Sequence, residues 1–310
     1  MAAYAVRRVI WLFFTLFIVS IITFVIAFLM PTDPARMVGG PNAPPSVVND
    51  IHHELGLDRP FYIQYVDFVN RALHGDFGRS YRTQQEVLPA IMERFPYTAA
   101  LAILGVLIEL AIGITTGIIV AVKRGAVEGL ANIFVLVGLA LPQFWLGIIL
   151  LYVFAYKFPI FPLGGTGGFM SLVLPAFTFG VTQAAFYTRM TRAGMLEVLS
   201  EDYIRTARAK GLKNSTVIFK HAFRNAMRPV VTMFGMDLGY ALGGLLVIEQ
   251  VFGWPGIGVQ AWQAVQNQDI PMIMGTVLFA SLLIVAANLV IDLLYSLLDP
   301  RITYGQGTAR

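Results

Sequence analysis

VIWLFFTLFIVSIITFVIAFLM, residues 9–30, is an unbroken run of 22 uncharged residues entered through Arg7 and Arg8. A helix needs about 20 apolar residues to cross the hydrocarbon of a bilayer. The run is too long for the apolar core of a cleavable leader, and no small-residue cleavage site follows it. It reads as a retained first span. Five further apolar runs, 99–122, 130–156, 171–188, 230–252 and 274–298, extend the pattern to six spans. Pro142 and Pro175 fall inside two of them, which membrane helices tolerate because neighbouring helices satisfy the freed backbone groups. Composition agrees: 57% of the 310 residues are hydrophobic and 13% charged, against about 25% charged in soluble domains. Mean hydropathy is +0.69. A soluble globule, a disordered chain and a collagen-like chain are thereby excluded. The absence of cysteine removes a disulfide framework and any thiolate metal site.

Lys and Arg in the connections set the orientation. With the N-terminus in the cytoplasm, fifteen basic residues fall in the start, 123–129, 189–229 and the tail after 298, against one, Lys157, in the short outer connections 157–170 and 253–273. The expected architecture is an all-α integral membrane protein with both termini cytoplasmic. It divides into a first membrane helix (1–30), an external cap (31–98), a membrane core (99–298) and a cytoplasmic tail (299–310). The cap opens with turn formers from Pro31 to Pro45, continues through a short helix over 47–57, and mixes both charges with aromatics, as a folded segment does. No internal repeat is visible.

Residues 189–229, between the fourth and fifth spans, are the most informative stretch. Nine Lys and Arg face Glu197, Glu201 and Asp202, a net charge of +6. Ser200 reads as an N-cap with Glu201 and Asp202 in the first turn, where the helix dipole favours acids. Gly211 reads as the glycine that ends that helix at about residue 210. Asn214 or Ser215 then caps a second helix. Ile218, Ala222 and Ala226, beside Phe219, Phe223 and Met227, form its apolar stripe; Lys220, Arg224 and Arg228 form a basic ridge at the same spacing. Binding of anionic lipid explains such charge in part. Two capped helices with a glycine break are more than charge balance requires, and point to a docking surface for a cytoplasmic partner.

Arg205-Thr206-Ala207-Arg208-Ala209-Lys210-Gly211, followed by His221-Ala222-Phe223-Arg224-Asn225-Ala226-Met227-Arg228-Pro229, resembles the "EAA" cytoplasmic loop of ABC importer permeases. The match is closest to the dipeptide, oligopeptide, glutathione and nickel subgroup. Pro31-Thr32-Asp33-Pro34-Ala35, the stretch 75–80 (GDFGRS), 200–212, Phe252-Gly253-Trp254-Pro255-Gly256-Ile257-Gly258 and Asp299-Pro300-Arg301 carry it nearly end to end. The resemblance implies one half of an importer pore. It also implies a second, homologous permease, two cytoplasmic ATPases holding ATP and Mg, and an external solute-binding protein, all at the inner membrane. The first helix of the loop would be the coupling helix, with Arg205, Thr206, Ala207, Arg208, Lys210 and Gly211 at the ATPase. Ala207 and Gly211 offer a small-residue face, and the basic residues offer partners for acids on the rim. The solute class implied is peptide-like, with nickel chelates and oligosaccharides as alternatives.

Chemistry of other kinds finds little support. There is no G-x-x-x-x-G-K-[ST] phosphate loop, so ATP hydrolysis is not expected in this chain. His52-His53-Glu54 lacks the H-E-x-x-H order of a zinc helix, and the histidines read as solvated. No cofactor, bound metal or nucleic-acid partner is expected; membrane lipid is. An ion-coupled secondary transporter would show inverted repeats and paired broken helices. Acids within the spans carry more weight, because charge in hydrocarbon is costly and usually functional. Glu109 lies in the stripe Gly105–Glu109–Gly113–Gly117. Asp237 lies about 200° around its helix from the line Gly235–Gly239–Gly243 and shares its own face with Met233 and Tyr240. With Asn288 and Asp292 of the last span, these three form the expected lining of a translocation path. The topology has a direct test: single cysteines at Ser46 and Ser215 should label from opposite sides of sealed membranes with an impermeant thiol reagent. Labelling of both from one side refutes it.

Overall fold

In a bilayer every backbone polar group must be satisfied internally, which leaves helices as the means by which these apolar runs can span it. The computed structural model describes residues 2–29, 33–40, 42–123 and 125–298, with side chains between 6 and 291. The helices are α1 (Ala2–Phe28), α2 (Pro34–Gly39), α3 (Pro45–Glu54), α4 (Phe61–Leu73), α5 (Val87–Val122), α6 (Ala126–Ala140), α7 (Gln143–Leu151), α8 (Phe169–Leu199), α9 (Asp202–Ala209), α10 (Asn214–Thr216), α11 (Phe223–Ala226), α12 (Arg228–Leu242), α13 (Leu246–Val251), α14 (Ile257–Gln266) and α15 (Ile270–Leu298). Wider π turns extend α7 through Tyr152–Lys157 and join α10 to α11 through Val217–Ala222. Among the described residues the one strand-like pairing is a single bridge between Arg79 and Glu86.

Four described helices are long and apolar enough to cross a membrane: α1, α5, α8 and α15. The expected third span becomes a pair, α6 and α7, bent by 102°. Leu141 precedes Pro142, and the proline ring disfavours helical backbone at the residue before it; Leu141 is accordingly extended, at ψ 122°. The expected fifth span also breaks. Gly244 takes φ +116°, and a Cβ there would lie 2.9 Å from the Gly258 Cα. The break leaves α12 with 15 residues, about 22 Å of helix against a core of about 30 Å. Of the six expected spans, four are thus single helices among the described residues, the third is a bent pair, and the fifth divides at Gly244. Two helices outrun their apolar stretches. α5 begins at Val87, because Val87, Ala90, Ile91 and Thr98 are buried on one face of an amphipathic approach. α8 continues into the expected loop because Thr191 and Met195 extend the buried line of Tyr187.

The chain divides into two compact units. The first comprises Met1–Thr98, Leu242–Leu246 and Pro255–Arg310. Its core joins the start of α5 to α14 and α15 through Val87, Ile91, Ile257 and Phe279, with the Phe95 and Phe279 rings edge to face at 5.4 Å. The cap is tied to the end of α1: Phe24 stacks among Phe61, Tyr65 and Phe68, and Ser20 Oγ shares a 2.8 Å hydrogen bond with Tyr65 Oη. The expected helix over 47–57 is α3, preceded by α2, whose N-cap Asp33 accepts from the Ala35 N–H at 3.0 Å.

The second unit comprises Ala99–Ala241 and Val247–Trp254. Its centre is the close approach of α5 to α8. A Cβ at Gly105 would lie 2.6 Å from Phe179 Cδ1, one at Gly113 2.5 Å from Tyr187 Cβ, and one at Gly117 2.6 Å from Thr191 Cβ. From the other side, a Cβ at Gly180 would lie 2.7 Å from the Gly105 carbonyl oxygen. The stripe of glycines thus brings two backbones together, as small residues do between membrane helices. Gly113→Val should lower the thermal midpoint of the purified protein, at a cost of about 1–3 kcal/mol for overpacking. Gly129, whose Cβ would meet nothing within 4 Å, is the control: Gly129→Ala should leave the midpoint unchanged or raise it. Equal midpoints for Gly113→Val and wild type refute the close approach.

Candidate coupling and translocation surfaces

The segment after α8 folds onto α8 itself. Met195, Ile204, Ala207, Val217, Ile218, Ala222, Ala226 and Met227 share one buried cluster with Ala121, Tyr187 and Val230. α9 buries Ile204 and Ala207 and leaves the rest of its surface to solvent. Of the six expected coupling residues, Arg205, Thr206, Arg208, Lys210 and Gly211 are exposed, whereas Ala207 is 6% exposed and packs inward. Arg205 Nη1 pairs with Asp202 at 3.2 Å, an ion pair in open solvent. Thr206 Oγ1 donates to the Asp202 carbonyl at 3.0 Å. Gly211 ends the helix with φ +75°, a left-handed position that glycine occupies without a Cβ penalty.

Two cap assignments are corrected. Ser200 ends α8, its hydroxyl donating to the Glu197 carbonyl at 2.6 Å, and Glu201 precedes α9 without a side-chain cap. Lys213, rather than Asn214 or Ser215, precedes α10. In the expected apolar stripe, Phe219 is 61% exposed while Val217 takes the buried position, because the π turn rotates the register. Lys220, Arg224 and Arg228 do form an exposed basic ridge.

Within the second unit, three polar side chains from three helices meet. Tyr187 of α8, fully buried, donates to Asp237 Oδ2 of α12 at 2.5 Å. Glu109 of α5, also fully buried, stands beside both. Asp237 is half-buried, Tyr240 is 63% exposed on the same helix, and Met233 packs against the α8–α9 core. Gly235 and Gly239 are buried, as the expected glycine face requires. Asn288 belongs to the first unit and is half-buried. Asp292 lies outside the residues whose side chains are described, as Pro31, Thr32 and the 299–301 motif lie outside the described residues altogether.

Sequence reasoning missed two anchoring residues. One is Tyr187, whose signal was a tyrosine four residues before Thr191 on an otherwise buried line. The other is Asp269, 3% exposed, which accepts from the Ser80 hydroxyl and, at 3.0 Å, from the Tyr81 N–H. Ser80 Oγ in turn accepts from the Thr83 N–H at 2.9 Å. The 75–80 motif is thus a turn, with Gly75 and Gly78 at φ +81° and +80°, locked to the loop before α15. Burial pushes the Tyr81 hydroxyl up to about 12, with Arg71 opposing and Asp269 reinforcing the shift. Beside this turn the first unit bears an open cavity of about 1180 Å³, larger than the roughly 300–1,000 Å³ of small-molecule sites. Phe24, Phe28 and Met274 line one part; Arg59, Arg71 and Asp76 line another. His52 and His53 of α3 pair with Asp33 and Asp58, at 3.0 and 2.9 Å.

An all-helical membrane protein with a solvent-exposed basic helix seated on a continuous core is the form of a transporter's membrane subunit. Residues 113–304 match the family described as "Binding-protein-dependent transport system inner membrane component", and residues 1–102 match its N-terminal membrane-component family. The chain is 40% identical over 305 residues to the glutathione transport system permease protein GsiC of Escherichia coli strain K12, covering 98% of this chain and 100% of that one. The same figures hold for its counterpart in Shigella flexneri serotype 5b. A crystal structure described as an amino acid ABC transporter with histidines shares the fold, with a TM-score of 0.51 at 17% identity over 69% of this chain and 94% of that one. The chain belongs to the family of inner-membrane permease components of binding-protein-dependent ABC importers. It is a multi-pass membrane protein, and its relatives are permease subunits rather than enzymes.

The Tyr187–Asp237 bond is the clearest energetic prediction of this site. Tyr187→Phe strips the half-buried carboxylate of its donor and should cost about 1–3 kcal/mol. Tyr187→Phe in an Asp237→Leu background should cost much less, since no acceptor is then left unpaired. Additive losses in a four-variant thermal-denaturation cycle refute the coupling.

Proposed function

We propose that this chain forms half of the translocation pore of an ATP-driven importer for short peptides or glutathione-like solutes. The observation that carries the reading is full-length similarity, at 40% identity, to a permease named for glutathione transport. A second, homologous permease completes the pore. Two cytoplasmic ATPases supply ATP hydrolysis with Mg, which this chain lacks the phosphate loop to perform. An external binding protein delivers the solute on the side of the cap, whose cavity mixes cationic, anionic and apolar walls suited to a peptide-bearing partner. Both termini and α9 lie in the cytoplasm. No metal or cofactor resides in this chain.

Coupling runs through α9. Arg205, Thr206, Arg208, Lys210 and Gly211 meet the ATPase, while Ala207 anchors the helix to α8. Exposed Arg and Lys on a helix whose other face is buried support this reading, because Arg208, Lys210 and the solvent-borne Arg205–Asp202 pair are open to acids on a partner's rim. Within the second unit, Met233, Asp237 and Tyr240 line the path. The Asp237 carboxylate, steered by Tyr187 and still half open, attracts a solute's amino terminus without enclosing it.

The reading is tested in proteoliposomes holding the whole complex, with labelled glutathione, a dipeptide, a nickel chelate and an oligosaccharide as competing solutes. ATP-dependent uptake of the first or second is expected. Gly211→Val should leave the complex inserted and uptake lost, and Arg205→Glu should weaken co-purification of the ATPases. Uptake restricted to the chelate or the sugar refutes the solute class; normal uptake and normal ATPase recovery in both variants refute the coupling role of α9.

A further inference from the structure

The charged end of α8 lies beside the start of α6. Arg192 Nη2 is hydrogen-bonded to Glu128, and among the described residues its buried Nε has no partner. One turn earlier Arg189 is exposed, and among the described residues it has no carboxylate partner within ion-pair distance. These arginines share a cavity of about 240 Å³ with Val120, Asn132, Val135, Leu136 and Leu139. The polarity of this cavity is ordered. Arg192, Arg189 and Asn132 stand at its charged end, which belongs to the face carrying the excess of Lys and Arg. Leu136 and Leu139 follow along α6 toward the hydrocarbon, and are 72% and 51% exposed. From Asn132 to Leu139 the helix rises about 10 Å, roughly the passage from headgroup level into the acyl region.

We infer that this cavity is a binding site for one anionic phospholipid, its headgroup phosphate held by Arg189 and Arg192 and its acyl chain laid along Leu136 and Leu139. Three features select that occupant. The two guanidiniums exceed the single Glu128 by one positive charge, which suits a singly charged headgroup. The volume admits a phosphate with its glycerol, while the acyl chain has an exposed apolar track of its own. Arginine presents a planar fork matched to phosphate oxygens, and Asn132 adds an amide donor at the same level. Basic pockets between membrane helices hold anionic headgroups by this chemistry. A zwitterionic lipid offers the same phosphate but carries its own cation to the arginines, and should bind less well. The site would fasten α6 to α8 just before α6 meets the bend at Pro142.

The test uses the intact complex, delipidated in detergent and titrated with a phosphatidylglycerol, a phosphatidylethanolamine of the same chains, or inorganic phosphate, with lipid-bound species read by native mass spectrometry. Phosphatidylglycerol should bind about tenfold more tightly than phosphatidylethanolamine, and Arg189→Glu should abolish the preference, since it removes the excess positive charge that faces the headgroup. Arg189→Lys, which keeps the charge, should retain most of it, so a general loss of folding in the first variant is recognised. Equal binding of the two lipids, or an undiminished preference in Arg189→Glu, overturns the proposal. Displacement of phosphatidylglycerol by inorganic phosphate at equal concentration reduces the site to one for the bare anion and overturns the lipid. A photoreactive residue at Leu136 should crosslink to lipid; crosslinking to the second permease instead makes this face a subunit interface and overturns it as well.

Discussion

The absence of side chains along one line of α5 governs the second unit. Gly105, Gly113 and Gly117 let the backbone of α8 approach so closely that a single added carbon at any of them would overlap Phe179, Tyr187 or Thr191. In a bilayer this contact has no hydrophobic drive behind it, since lipid tails are as apolar as leucine; it rests on dispersion between close backbones and on hydrogen bonds across the joint. The same close approach brings Glu109 beside the Tyr187–Asp237 pair, because Glu109 stands on the glycine line itself. Packing and polarity are therefore one feature: the helices must be close for Tyr187 to be buried where it can reach Asp237.

The cap has the opposite economy. Its helices are short and amphipathic, and they are fixed by polar locks to segments distant in sequence. Asp269 receives Ser80 and the Tyr81 N–H across nearly two hundred positions of chain, and Ser20 meets Tyr65. Such locks fix geometry through directional partners, each worth about 0.5–1.5 kcal/mol net.

The membrane character and helical class were legible from run lengths alone, and the basic connections were legible as an exposed ridge at Lys220 and Arg224. What misled the reading was local backbone chemistry. A proline whose preceding residue must leave the helix broke the third span at Leu141, and Gly244 broke the fifth, although hydropathy is continuous through both. Hydropathy also ended α8 too early, because Thr191 and Met195 are buried by neighbours that the sequence does not announce. Ala207 and Gly211, four residues apart, suggested one outward face; the fold turns Ala207 inward and leaves Gly211 at the helix end. Tyr187 and Asp269 were invisible for the same reason: each matters through a partner on a remote segment.

The continuity of α8 has a mechanical consequence. Thirty-one residues without a break make a rod of about 46 Å, and its last turns share a core with α9 and with the segment 217–227. Tyr187 is itself a member of that core, so the exposed α9 and the hydroxyl that grips Asp237 belong to one packed body: neither moves without deforming the contacts that hold the other.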